Sequence, residues 1–287
     1  MSLKDVVYIG DVGDIEDIED IAEVGDTEDV EDIEDIGSVS GYVHSTDSLS
    51  CVDGPGVRYL VFMQGCQMRC TFCSNPDTWR IGTRFSPQTQ SSGVAQKIRS
   101  LLPYLAPNRG GVTVSGGEPM LQSSFLEHLF REVHRMGLTT CIDTCGRGEK
   151  ERNWDAVLPH TDYVLFCIKH IDPVKYSELT GCTQEKPMAF ARELERRKIP
   201  FFLRYVLIPG HTDADEDVEA LLTWAKKQPS MIAVELLPYH ELGKHKWEEL
   251  GLRYKLEGVE TPGREDVGRF VDACARHGVR VNVNTRS

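Results

Sequence analysis

The sequence predicts an α/β protein on a parallel sheet rolled into a barrel or part of one, and three observations carry that reading. Apolar runs of five to seven residues recur along the chain after residue 41. Amphipathic stretches long enough for three or four helical turns separate most of them. The two signals alternate, which implies repeated βαβ units, because parallel strands need a crossover of about a dozen residues or more. Six or seven units suggest a barrel or a partial barrel. Its functional residues then belong in loops after the strand C-termini.

In chain order, the first segment is unlike the rest. From Val6 to Val39 a β-branched residue returns at every third position, through Ile9, Val12, Ile15 and Ile18 to Ile33, Ile36 and Val39. A step of three fits neither the helix period of 3.6 nor the strand period of 2, so no fixed apolar face forms. Residues 1–40 hold 15 Asp and Glu against one Lys, a net of −14, whereas the whole chain is −13. The remainder is therefore near neutral. Residues 1–39 are read as an acidic, disordered tail, with a partner-binding arm as the alternative, and residues 40–287 as the folded domain.

The strands are expected over 57–63, 111–115, 139–143, 163–168, 201–206, 232–236 and 279–283. The helices are expected near 92–105, 121–136, 186–198, 214–227 and 264–277. Clustered basic residues, the mark of a nucleic-acid surface, are missing. No apolar run approaches the roughly 18 residues of a membrane helix, and no targeting signal is visible. A soluble, cytoplasmic monomer is expected, or an organellar one in a eukaryotic source.

Nine cysteines are an odd number and argue against a disulfide scaffold. Three of them, Cys66, Cys70 and Cys73, follow the first strand at spacings of three and two intervening residues. Such a loop can wrap one small metal centre. A structural zinc site is one reading, but it takes four protein ligands, and the next cysteine is Cys141. Alternatively, three thiolates hold three irons of a [4Fe–4S] cluster and leave the fourth iron open to a substrate or cofactor. Cys51, Cys141, Cys182 and Cys274 are read as structural.

With Phe72 directly before its last cysteine, the loop resembles the signature of the radical S-adenosylmethionine (SAM) superfamily. Gly116, Gly117, Glu118 and Pro119, after the second strand, are similar to that superfamily's GGE motif. Longer stretches resemble the glycyl-radical-enzyme activases: residues 52–58 (VDGPGVR), 204–210 (RYVLIPG) and above all 236–247 (LLPYHELGKHKW). Many activases carry extra cysteine clusters between the cysteine loop and the GGE motif. Residues 74–115 contain no cysteine, as in the branch that acts on pyruvate formate-lyase.

That resemblance implies a partial (β/α)6 barrel of the TIM type and a specific chemistry. Cys66, Cys70 and Cys73 would ligate the cluster, with SAM on the open iron. One electron, from a donor such as flavodoxin or ferredoxin, would cleave SAM to methionine and a 5′-deoxyadenosyl radical. The radical would take a hydrogen atom from a glycine of the partner; a different glycyl-radical enzyme or a small-molecule substrate is the alternative. Around the cofactor the resemblance places Phe72, Cys73, Ser74, Gly116, Gly117, Glu118, Asp143, Thr144, Cys167, Ile168, Lys169, Arg204 and His240. Lys169 would meet the methionyl carboxylate and His240 would border the adenosine. Residues 53–58 form either part of the channel for the partner's glycine loop or a plain Gly/Pro turn.

Two departures from the family pattern stand out. Cys167, Ile168 and Lys169 occupy a place where the family has Asp-Leu-Lys. Asp143, Thr144, Cys145 and Gly146 stand where it often has Asp-Thr-Asn-Gly. A cysteine at 167 removes a hard oxygen ligand, so a monovalent cation beside the cofactor loses part of its site. Cys145 and Cys167 would lie at neighbouring strand ends, as buried thiols or as a second metal site.

Overall fold

The computed structural model describes residues 37–81 and 88–284. Most of the tail read over 1–39 lies outside them. Its last residues are tied to the fold: Val39 N donates to Ser91 Oγ at 2.9 Å, and Ser91 N donates to Val39 O at 2.9 Å.

A nine-stranded sheet organises the described residues. Its strands are β1 (Ser40–Ser50), β2 (Arg58–Met63), β3 (Gln88–Gln90), β4 (Gly111–Gly116), β5 (Thr139–Thr144), β6 (Tyr163–Cys167), β7 (Phe201–Leu207), β8 (Met231–Pro238) and β9 (Val281–Val283). The order is β3-β1-β2-β4-β5-β6-β7-β8-β9. From β2 to β9 every pairing is parallel, whereas β1 runs antiparallel to both β2 and β3. The sheet is open, because β2 and β9 are not paired.

The helices are α1 (Ser91–Ser100), α2 (Leu102–Leu105), α3 (Ser123–Arg135), α4 (Asp155–Val157), α5 (Pro173–Thr180), α6 (Glu185–Arg197), α7 (Asp215–Ala225), α8 (Lys244–Glu249) and α9 (Arg264–His277). Local chemistry sets several ends. Asp172 caps α5 by accepting from the N–H groups of Val174 and Lys175, Pro173 fills its first turn, and Gly181 closes it in the left-handed region. Gly278 ends α9 in the same way.

The expected alternation is present, with two further strands, β1 and β3, and three further short helices, α4, α5 and α8. β1 and β3 escape the sequence reading because they are polar and half exposed, so no apolar run marks them. α5 and α8 are short and sit among loop-like residues. The main core lies between sheet and helices, filled by residues such as Val61, Val114, Ile142, Phe166, Leu203 and Leu236. A second cluster, including Met68, Phe72, Tyr176, Tyr239, Trp247 and Tyr254, caps one end of the sheet.

Inside the sheet's curve the chain before β2 crosses from one open edge towards the other. Thr113 Oγ1 donates to Asp53 O at 2.6 Å, and Val52 O accepts from Arg204 and Asn284, each at 3.2 Å. Gly54 passes so close to Cys141 and Thr113 that a Cβ would touch both. Beneath it lies Arg58, wholly buried. Its guanidinium donates to Thr113, Thr139, the carbonyls of Val112 and Thr139, and the carbonyl of Pro55.

Candidate active site

All parallel strands point their C-terminal ends at one rim, and a cavity of about 490 Å³ opens there. β2 leads to Cys66, Cys70, Phe72, Cys73 and Ser74. β4 contributes Ser115, Gly116 and Gly117, and β5 contributes Asp143, Thr144 and Cys145. From β6 come Cys167 and Lys169, from β7 Arg204, and after β8 Tyr239 and His240; all of these line the cavity. The barrel rule for strand ends therefore holds here.

Two residues of the expected set sit elsewhere. Ile168 packs in the main core. Glu118 is fully buried and absent from the lining. Its carboxylate caps the turn that follows, accepting from Met120 N at 3.1 Å and Thr144 Oγ1 at 2.6 Å. The other oxygen accepts from Cys145 N at 3.1 Å and Cys145 Sγ at 2.8 Å. Glu118 thus joins the β4 exit to the β5 exit. Met68, Asn75, Trp79, Tyr239 and Asn284 also line the cavity and were not singled out beforehand. Only the aromatic pair Trp79 and Tyr239, flanking the motifs, left a signal that could have been used.

The glycines have a steric cause. Gly116 holds φ +112°, and a Cβ there would lie 2.3 Å from Met63 N; one on Gly117 would lie 2.2 Å from Gly65 O. Backbone lies on backbone, with Gly117 N donating to Met63 O at 2.9 Å and Glu118 N to Gly65 O at 2.7 Å.

The cysteine loop is held along its length. Arg69 N donates to Thr180 O and Thr71 N to Leu179 O, each at 2.9 Å, so the loop leans on the end of α5. The Arg69 guanidinium donates to the carbonyls of Cys66 and Met68, and lies 4.9 Å from the Trp79 ring centroid. Burial pushes the Cys66 thiol up to about 12, and Glu118 adds to it. Burial raises Cys70 and Cys73 too, although the Asn75 N–H and the Trp79 indole pull Cys73 back. Neutral thiols are favoured until a cation arrives to neutralise them. Among the described residues no three or more His, Cys, Asp or Glu side chains are gathered closely enough to hold a metal ion as they stand. All nine cysteines are free; Cys51 is exposed, Cys182 half-buried, and Cys141 and Cys274 buried.

Charge is concentrated beside the loop. Arg204 reaches Asp143 at 3.0 Å, Glu235 at 2.7 Å and Asp53 at 3.4 Å, almost wholly buried. Burial, the largest single influence, would push the Asp143 carboxyl up, but Arg204, Ser115, Lys169 and Cys167 together hold it below the ordinary value. Its two oxygens accept from Arg204, Ser115 and Cys167. Cys145 and Cys167 line the same cavity yet bond to different acids, Glu118 and Asp143. Lys169 differs. Burial would lower its pKa, but Cys167, Cys70, Cys145 and Asp143 raise it, and no carboxylate among the described residues forms an ion pair with it within 4.0 Å. Its ammonium lies 5.7 Å from the Phe72 ring centroid.

The sequence matches the radical SAM superfamily over residues 60–225. It is 44% identical over 234 residues, 80% of this chain and 93% of the relative, to the pyruvate formate-lyase-activating enzyme of Staphylococcus aureus strain USA300. The chain belongs to the radical SAM superfamily, in the family of pyruvate formate-lyase-activating enzymes. Solved structures agree on the fold. A domain of pyruvate-formate lyase-activating enzyme from Bacteroides vulgatus ATCC 8482 aligns with a TM-score of 0.52 at 21% identity, covering 61% of this chain and 99% of that one. A radical SAM methyltransferase from Sphaerobacter thermophilus aligns with a TM-score of 0.55 at 17% identity, covering 89% and 76%. Family membership implies a [4Fe–4S] cluster and SAM. No helix among the described residues is long and apolar enough to cross a membrane.

Proposed function

We propose that this chain activates pyruvate formate-lyase by generating a glycyl radical on it, with Cys66, Cys70 and Cys73 holding a [4Fe–4S] cluster in the cavity. The observation that carries the reading is the joint placement, at the same cavity, of three thiols on one pinned loop and the Lys169 ammonium, which forms no ion pair among the described residues. The donor set fits the group: three thiols from one loop supply three of the four sites of a [4Fe–4S] cluster and leave one iron for a non-protein ligand. When bound, the cluster and SAM together supply one-electron cleavage of a carbon–sulfur bond and a hydrogen-abstracting radical.

The protein's own residues prepare that chemistry. Lys169 offers a charge-assisted hydrogen bond to an anionic group such as a methionyl carboxylate. Gly116 and Gly117 expose backbone at the rim beside it, and Phe72, Ser74, Thr144 and His240 line the cavity around them. Both Asp143 oxygens are already bonded within the protein, so the proposal includes no monovalent cation. The enzyme is proposed to act as a cytoplasmic monomer that takes its electron from a reduced flavodoxin or ferredoxin.

The test mixes anaerobically reconstituted, reduced protein with SAM and purified pyruvate formate-lyase, and records the electron paramagnetic resonance spectrum. A glycine-centred doublet with release of 5′-deoxyadenosine is expected. Cleavage of SAM without any protein radical would move the substrate elsewhere, and uptake of one zinc with no iron or sulfide would end the reading.

A further inference from the structure

Beyond Cys73 the chain passes under the segment that follows β8, and three contacts of different kinds meet there. The Trp247 indole N–H donates to Cys73 O at 2.8 Å. Gly243 lies against the Ser74 backbone so closely that a Cβ would stand 2.4 Å from Ser74 O and 2.5 Å from Ser74 Cα. Lys246 Nζ donates to Asn75 Oδ1 at 2.8 Å and lies 3.2 Å from the Asp77 carboxylate. The indole itself is held on two sides, edge to face with Trp79 at 5.1 Å and with Tyr254 at 5.4 Å. Tyr254 is bonded in turn to Tyr239 at 2.6 Å. Trp247 is buried, which strengthens a hydrogen bond made there.

We propose that Trp247 is a positioning residue for the third cluster ligand, fixing the Cys73–Ser74 peptide from a segment about 170 residues away. The inference rests on the cluster reading given above. Its physical basis is that groups bonded to a ligand's own backbone limit how far the thiolate can swing, and so how readily a metal centre is lost. Cys66 has a comparable anchor, because its N–H donates to Trp79 O at 3.1 Å and its carbonyl accepts from Arg69. Within the loop the Cys73 backbone has its own N–H bond to Cys70 O, a longer 3.2 Å. The anchor for Cys73 O comes from outside the loop.

The experiment compares reconstituted wild type, Trp247→Phe and Gly243→Ala. The first variant keeps a ring between Trp79 and Tyr254 but removes the donor. The second leaves the indole intact and pushes its segment off Ser74; Gly243 has φ −88°, so alanine strains only that contact. Iron release to an anaerobic chelator is followed by loss of cluster absorbance, and the cluster-free chains are melted in parallel. Both variants are expected to release iron about 5-fold faster, the scale of one hydrogen bond, while the cluster-free chain melts no more than about 4 °C lower. Release at the wild-type rate in both would overturn the inference. So would faster release only in a chain whose melting falls further than that, since general loosening would then explain it. If Trp247→Phe does not fold, Gly243→Ala carries the test. A wild type that takes up no iron and sulfide would instead sink the cluster reading itself.

Discussion

Lys169 reaches the cavity half-buried, its ammonium set among thiols rather than carboxylates, which suits it to bind an anion there. Replacing it tests that role. Lys169→Met should weaken SAM binding about 10-fold or more, the value of a charge-assisted hydrogen bond, while iron content stays at the wild-type level. Equilibrium dialysis with the reconstituted protein measures the first and iron analysis the second; unchanged affinity would remove Lys169 from the site. Cys70→Ala makes the complementary case. The loop is held by Arg69, Thr71 and α5 through backbone bonds that do not involve the Cys70 thiol. The variant should therefore keep the wild-type circular dichroism spectrum yet assemble no intact cluster. The sequence pointed to both beforehand, to Cys70 through the spacing of its loop and to Lys169 through the family resemblance and its strand-end position. Glu118 was not legible in the same way. Its place in the motif suggests the cofactor, whereas its two oxygens are filled by Met120, Thr144 and Cys145.

Single elements carry their own electrostatics. On α6, Glu193 bonds Arg196 at 2.6 Å and Arg197 at 2.7 Å, and these guanidiniums hold its carboxyl down at about 2. A carboxylate with a depressed pKa adds stability above its ordinary value near 4.5, and that contribution fades as the pH falls towards 2. Glu193→Gln should thus lower stability by about 1 kcal/mol at pH 7, after allowance for solvent screening. The deficit should shrink as the pH falls through about 2 and vanish only below it, where both chains carry a neutral side chain. Denaturant titrations at the two pH values decide it, and an equal deficit at both would refute the ionic origin. At this scale the sequence was informative for long amphipathic helices and apolar strands. It was silent for β1, whose outward residues Thr46, Asp47 and Ser48 look like a loop until β2 pairs with them.

The whole molecule depends on a floor beneath the cavity. Arg58 is fully buried with hydroxyl and carbonyl acceptors drawn from β4, β5 and the turn before β2. Burial lowers its pKa, so the guanidinium is held by dipoles rather than by a carboxylate. Arg58→Met would leave those acceptors unpaired and should cost about 3 kcal/mol, lowering the melting midpoint by roughly 6–12 °C in calorimetry. A midpoint within 2 °C of wild type, about half a kcal/mol, would show that the floor is not held this way. A chain beginning at Gly37 should melt and act like the full sequence, because the acidic repeat has no packable apolar face. Loss of activity in that folded chain would assign the tail a role.

By itself the sequence determined the barrel class, the three-cysteine loop and the rim on which the site had to form. These follow from periodicity and spacing, which are local properties of the chain. Tertiary structure alone decided that Glu118 bonds Met120, Thr144 and Cys145, that Ile168 packs in the core, that Arg204 gathers Asp53, Asp143 and Glu235, and that Trp247 reaches the carbonyl of Cys73. The reason is physical. Whether a polar group meets a ligand or a protein partner depends on what the fold brings within about 3 Å of it, and those neighbours come from strands far apart in the sequence.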